Sequence, residues 1–237
     1  MRSISVGAIL AAVLGLTSAL AHAADAPDPT VFDNQFRIGA YYLYFHPDAS
    51  DITGPGIPPG ENLNLNLDSV TTLYLAYIRR LSTHFDVELA AGWPPLTKTV
   101  GRGPATVGSV PYDKQVIATA RWFSPSLLFN YKFFGEDHAF RPYVGVGVNY
   151  TRFYSRQSTA AGDAISGGPT SISLPASVGV AGTVGLSYRF SNRFNVNASY
   201  DAAVIRSELT ADTAGFLRTS DINFGVRAVV VSFGFLF

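Results

Sequence analysis

The chain is predicted to fold as an all-β protein, an eight-stranded antiparallel transmembrane β-barrel, and three observations predict it. Stretches of period-two alternation recur along the sequence, the connections between them alternate between short and long, and the chain ends on an apolar strand. That strand reads RAVVVSFGFLF and sets Val229, Val231, Phe233, Phe235 and Phe237 on one face. Chain ends are usually polar and frayed, so such a terminus must be tied into pairing. With 12 tyrosines, 17 phenylalanines and no cysteine, the composition suits β structure that meets a membrane interface. Beyond the first residues no apolar run approaches the ~20 residues of a spanning helix. A membrane crossing must then be made by strands, whose backbone groups pair with one another.

Residues 1–23 read as a signal peptide: Met1-Arg2, an apolar run, and the small-residue site Ala21-His22-Ala23. Residues 24–35 follow as a periplasmic segment, and the barrel is expected over 36–237. Its strands are expected near residues 36–45, 69–78, 85–91, 116–133, 140–153, 177–190, 194–205 and 222–237, the fourth interrupted by Pro125. The connections 79–84, 134–139 and 191–193 are tight turns on one rim. Those at 47–66, 93–114, 154–175 and 206–220 are long, rich in Gly, Pro, Ser and Asn, and belong to the other rim. Short periplasmic turns with long extracellular loops are the layout of an outer-membrane barrel. A soluble β-sandwich also has short alternating strands and stands as the alternative. The faces favour lipid: Val144, Val146, Val148 and Tyr150 oppose Tyr143, Gly145, Gly147, Asn149 and Thr151, and aromatics gather near strand ends as in interfacial girdles.

An eight-stranded lumen is just wide enough for side chains or one small ligand. Lumen-lining candidates are the charged Arg37, Asp86, Glu88, Lys132 and Asp201, with Tyr74, Ala90, Tyr143, Asn149 and Asn197. Mixed signs imply pairing inside, since an unpaired buried charge is costly. Trp93 and Leu96, with Trp122 and Phe123 approaching from the fourth strand, form a candidate hydrophobic access site or an interfacial girdle. Pro125 offers no ladder N–H and marks either a rim bulge or a lateral opening.

Composition argues against other classes. The formal net charge is zero with no basic block, so nucleic acid is not an expected partner. Without cysteine there is no thiolate metal site, and no metal or cofactor is expected. His84 and His138 fall in turns and His46 near the opposite rim, away from any serine–carboxylate pair, so no enzyme activity is expected. Gly167-Gly168-Pro169 lacks the lysine and helix of a phosphate cradle.

The segment Phe140-Arg141-Pro142-Tyr143-Val144-Gly145-Val146-Gly147-Val148-Asn149-Tyr150-Thr151 resembles the fifth strand of the OmpW family of small outer-membrane proteins. Ala181-Gly182-Thr183-Val184-Gly185-Leu186-Ser187-Tyr188 with Phe194-Asn195-Val196-Asn197 resembles its sixth and seventh strands. Val87-Glu88-Leu89-Ala90-Ala91 is similar to the third strand and Pro125-Ser126-Leu127-Leu128 to part of the fourth. The resemblance implies a Gram-negative outer-membrane barrel with a narrow lumen for small hydrophobic molecules and, as in the related alkane-uptake proteins, sideways release into lipid. The chain departs from the family near Ala90 and Asp201, where relatives carry bulky apolar residues, and at Arg121-Trp122-Phe123-Ser124-Pro125, where some carry His-His-Leu-Pro-Pro. Two functions follow as expectations: a passive conduit for hydrophobic molecules, or a closed barrel whose loops bind a phage, bacteriocin or host molecule. Lipid, lipopolysaccharide and the barrel-assembly machinery are the expected partners, and a monomer is the expected state.

Phe233, Phe235 and Phe237 resemble the carboxy-terminal signal read by that machinery. Deleting Phe237 is expected to lower the amount of folded protein in the outer membrane, measured by heat-modifiable electrophoresis; unchanged abundance would refute the assignment.

Overall fold

A computed structural model describes residues 32–57, 63–104, 106–107 and 110–237. The expected signal peptide, 1–23, and most of the 24–35 segment lie outside the described residues. In chain order the strands are β1 (Asn34–Phe45), β2 (Asp48–Ala49), β3 (Asn64–Leu67), β4 (Val70–Arg80), β5 (Phe85–Gly92) and β6 (Leu96–Arg102). There follow β7 (Thr106–Val107), β8 (Val110–Pro111), β9 (Val116–Phe123), β10 (Ser126–Lys132) and β11 (Phe140–Ser158). A short helix α1 (Ala160–Ser166) precedes β12 (Thr170–Ser173), β13 (Ser177–Arg189), β14 (Phe194–Ala203), β15 (Arg206–Thr213), β16 (Phe216–Asn223) and β17 (Val226–Leu236).

Eight of these close into a ring in the order β1, β4, β5, β10, β11, β13, β14, β17 and back to β1, every neighbour antiparallel. The seam is the pairing of the first and last strands, from Gln35↔Leu236 to Phe45↔Val226. In lipid each backbone polar group needs a partner, and closure supplies one without leaving an edge.

Strand parity sorts side chains as the sequence predicts. Val144, Val146, Val148 and Tyr150 are exposed, while Tyr143, Asn149 and Thr151 are buried. On β17, Val231, Phe233 and Phe235 face outward against buried Ala228, Val230 and Ser232, and Phe237, just past its end, is exposed as well. Aromatics crowd the outer surface near the short turns: Phe194 meets Phe233 at 5.4 Å and Phe235 at 5.5 Å, and Phe85 stacks on Phe129 at 5.2 Å. This is an interfacial girdle.

The long connections differ from their expected form. Residues 47–66, 93–114, 154–175 and 206–220 carry strands of their own and α1. Their Thr, Val and Ile content favours pairing, and their Gly and Pro mark the turns between strands. Above the barrel, β11 continues past Thr151 to pair with β9, which pairs with β6 and β6 with β3; a second sheet runs β12, β15, β16, β2. Leu65, Trp122, Phe153, Ile205, Leu209, Ile222 and Phe224 from these segments form a common core with Leu43, Val226 and Ala228 at the barrel top.

Two long strands are also interrupted. The expected fourth strand, 116–133, splits into β9 and β10 around Ser124-Pro125, and the expected eighth, 222–237, splits at Phe224-Gly225. Gly225 adopts φ 51°, where its missing Cβ lets the chain pass the His46 carbonyl.

At the seam Gly39 lies opposite Ser232, and a Cβ there would sit 2.1 Å from the Val231 oxygen and 2.6 Å from the Ser232 Cα. Gly39→Val is expected to destabilise the barrel by roughly 1–3 kcal/mol through overpacking, read from urea unfolding in micelles; an unchanged midpoint would refute the close approach.

Candidate functional site

The lumen has two levels, set by which residue types the inward parity selects. In the periplasmic half, β1 turns Gln35 and Arg37 inward, β4 Tyr74, β5 Asp86 and Glu88, β10 Asn130 and Lys132, β11 Tyr143, and β14 Asn195 and Asn197. Arg37 lies at the centre. Its Nη1 is 3.2 Å from Glu88 Oε2 and donates at 3.5 Å to the Tyr143 hydroxyl, and its Nη2 donates to Gln35 Oε1 at 3.3 Å. The guanidinium also lies over the Tyr143 ring, 5.5 Å from its centroid. Glu88 accepts from the Tyr74 hydroxyl at 2.5 Å and from Asn130 Nδ2 at 3.0 Å. The same Asn130 amide donates to Asp86 Oδ1 at 2.9 Å, and Asp86 pairs with Lys132 Nζ at 2.5 Å. Gln35 and Asn197 both donate to Asn195 Oδ1.

Two cations thus meet two carboxylates in a region closed to solvent. Burial of a charge is tolerated only with pairing and hydrogen bonds of this kind. The network spans the lower lumen as a polar floor, and on its periplasmic side a cavity of about 50 Å³ is lined by Gln35, Lys132, Arg189 and Asn195 among others. Beneath it the periplasmic rim is paired as well: Asp33 takes Arg80 at 2.9 Å and Arg79 at 3.4 Å, and Glu136 takes Arg80 at 3.2 Å and Arg141 at 3.6 Å. The hydrogen bond from Arg80 holds the Asp33 carboxyl below its usual pKa.

Above the floor the lining is mixed and, higher up, mainly apolar. Tyr41 packs edge-on to Tyr74 at 5.7 Å, and over this pair a cavity of about 30 Å³ is bounded by Ala90, Ala91, Trp122, Ser124, Leu128, Asp201 and Ala228 among others. A second cavity of about 30 Å³ lies beyond it, lined by Phe45, Leu67, Trp122, Phe153, Leu174, Ile205, Phe224 and Val226. Either has room for a water or two and not for a drug-sized ligand. Trp122 borders both cavities, its indole Nε1 donating to Thr97 Oγ1 at 2.7 Å and its ring edge-on to Phe45.

The lower cavity meets a break in the wall. The β5–β10 ladder stops at Ala90↔Ser126, and β6 and β9 resume it at Leu96↔Arg121. Ladder partners are missing along residues 91–95 and 122–125 on these two facing edges, where Pro94, Pro95 and Pro125 offer no N–H. On its other side the break is braced. Asn149 Nδ2 donates to Ser124 Oγ, Ser126 Oγ and the Pro125 carbonyl, and the Tyr150 N–H donates to the same carbonyl. Across the break itself a side chain makes the link: Arg121 Nη1 donates to the Pro94 carbonyl at 3.1 Å.

The break also shifts the alternation. Asp86, Glu88 and Ala90 point inward on β5, yet on β6 Thr97 is buried while Leu96 and Lys98 are exposed. One extra residue in Trp93-Pro94-Pro95 causes the slip. Trp93 and Leu96 consequently both face outward, as does Phe123. Trp122 does not join them: as the neighbour of Phe123 it takes the opposite face and lies inside the lumen. The expected cluster of Trp93, Leu96, Trp122 and Phe123 is split across the wall. Ala90 and Asp201 line the lower cavity together, Asp201 accepting from the Thr183 hydroxyl at 2.6 Å.

Sequence reasoning missed Gln35, Tyr41, Asn130 and Asn195. Parity carried the signal: Gln35 and Tyr41 share the face of Arg37, Asn130 that of Lys132, and Asn195 that of Asn197.

Residues 34–237 match the model of the OmpW family. Outer membrane protein W of Vibrio cholerae is 25% identical over 177 residues, which cover 75% of this chain and 77% of that protein. Outer membrane protein W of Escherichia coli is 31% identical over 146 residues, 62% of this chain and 63% of that protein. Among solved structures, OprG of Pseudomonas aeruginosa superposes with a TM-score of 0.76 at 24% identity, covering 87% of this chain and 96% of its own. The outer membrane protein AlkL in DMPC bilayers gives 0.60 at 18% identity, covering 92% and 97%. These likenesses show the fold, a closed outer-membrane barrel.

Removing one member of the central pair leaves a lone buried charge. Arg37→Met is expected to cost about 3–5 kcal/mol in urea unfolding, and Arg37→Met with Glu88→Gln to recover most of that loss. Equal destabilisation by the single and double variants would refute the pairing as the floor's organising contact.

Proposed function

The chain belongs to the OmpW family and lies in the Gram-negative outer membrane, and from that premise we propose that it is a passive conduit for small hydrophobic molecules. The observation that supports this reading is the change of lining within one lumen: ionic in the floor, mixed around the lower cavity and mainly apolar around the upper one, with the ladder interrupted beside the lower cavity. A greasy solute gains from the core around Phe45, Phe153, Ile205 and Phe224 as it leaves water. It meets no such gain at the Arg37–Glu88 floor, where it would displace hydrogen bonds it cannot replace.

The proposed path turns sideways at the lower cavity and passes between residues 91–95 and 122–125 into lipid. Both cavities are small, so passage needs the Trp122 ring to rotate away from Thr97, joining the two. No residue in this scheme performs chemistry on the solute, and flow follows the concentration gradient.

A second reading, a closed barrel whose extracellular strands dock a partner, draws on the hairpin of β15 and β16. Its tip exposes Phe216 and Leu217. Uptake separates the two readings. Cells carrying the protein are expected to accumulate a radiolabelled hydrophobic compound faster than cells without it. Ala90→Val, which narrows the lower cavity with a small added volume, is expected to reduce uptake, while Trp122→Ala keeps or raises it. Equal uptake with and without the protein across several hydrophobic compounds would refute the conduit.

A further inference from the structure

Lys98 on β6, Arg121 on β9 and Arg152 on β11 are exposed on the outer surface of three adjacent strands. Leu96 pairs with Arg121 and Lys98 with Thr119, so Lys98 and Arg121 are diagonal neighbours; Phe123 pairs with Arg152, which makes Arg121 and Arg152 diagonal neighbours too. Such diagonals bring side chains within roughly 7–8 Å of each other. Three like charges so placed repel one another, and the one protein acceptor any of them meets among the described residues is the neutral Pro94 carbonyl, 3.1 Å from Arg121 Nη1. None of the three has a carboxylate partner among the described residues, although the periplasmic-rim cations Arg79, Arg80 and Arg141 each have one. Asp68, the acid nearest in register, only donates its backbone N–H to the Lys98 carbonyl.

Their height on the wall is specific. Immediately below lie the outward Leu96, Phe123 and Tyr150, and below these Leu127, Val146 and Val148. The three cations are therefore the first charges met above the apolar belt on these strands. Arg206 and Arg227 are exposed near the tops of β14 and β17 and extend the same sign around the rim.

We propose that Lys98, Arg121 and Arg152 form a binding site for a phosphorylated glycolipid of the outer leaflet, its acyl chains on the belt and its phosphate on the cations. Arginine guanidinium groups suit phosphate oxygens through paired N–H donors. The anionic headgroup supplies the countercharge that the fold omits, at the depth where acyl chain gives way to headgroup. This site lies on the outer wall beside the break, and lipid retention reads it separately from uptake through the lumen.

Native mass spectrometry of the folded barrel in nonionic detergent tests it, with purified lipid A and its enzymatically dephosphorylated counterpart as probes. The wild type is expected to prefer lipid A by about a hundredfold, at about fivefold per basic residue. The variant Lys98→Gln/Arg121→Gln/Arg152→Gln is expected to lose that preference, and Lys114→Gln, outside the patch, to keep it. Arg152→Gln alone, at a side chain that makes no hydrogen bond among the described residues, is expected to lose about fivefold and serves if the triple variant fails to fold. Equal retention of both probes by the wild type, or an undiminished preference in a folded variant, would overturn the site.

Discussion

Ring closure is the constraint on which the rest depends. A strand in lipid cannot leave its N–H and C=O groups to water, so the last strand must find the first. The seam from Gln35↔Leu236 to Phe45↔Val226 meets that demand and fixes the parity of both strands together. Parity then decides everything inside. Because Arg37 faces the lumen, so do Gln35, Tyr41 and Leu43, and β1 alone carries the lumen from polar floor to apolar top.

The floor and the upper core divide the interior between two kinds of energy. Around Arg37 and Glu88 the lining is held by directional contacts that a wrong partner would leave unsatisfied. Around Ile205 and Phe224 it is held by area removed from water, which tolerates substitution and movement. An ionic floor offers an apolar group nothing to replace its hydrogen bonds, whereas a non-directional upper core places few geometric demands on its neighbours. The break at Trp93-Pro94-Pro95 and Pro125 lies between these regimes, where neither contributes a ladder.

Much of this was legible in the sequence. Alternation placed the barrel strands and sorted faces well enough to select Arg37, Glu88, Tyr143 and Asn197 as inward. What alternation cannot report is distance between strands: nothing in the order of residues says that Arg37 meets Glu88 or that Asn130 bridges Glu88 and Asp86. The extracellular sheets are hidden in the sequence because Leu96–Arg102 and Arg206–Thr213 mix polar and apolar residues without a clean greasy face, and their Gly and Pro neighbours carry the stronger signal of loops. Trp122 was grouped with Phe123 by kind, whereas adjacency in a strand sets them on opposite sides of a wall.

The single-residue slip at Trp93-Pro94-Pro95 has a bearing on time as well as shape. Had the β5–β10 ladder run on in register from Ala90↔Ser126, Leu96 would face Ala120; it faces Arg121. Rejoining the two edges would turn Leu96 and Lys98 toward the lumen and Thr97 toward lipid, so ordinary breathing of the sheet cannot heal the break. The break in the ladder is a fixed property of the register and not a door that opens and shuts. Whatever rhythm the barrel has is then left to side chains, above all the indole of Trp122, whose rotamer changes belong to a faster clock than the rearrangement of strands.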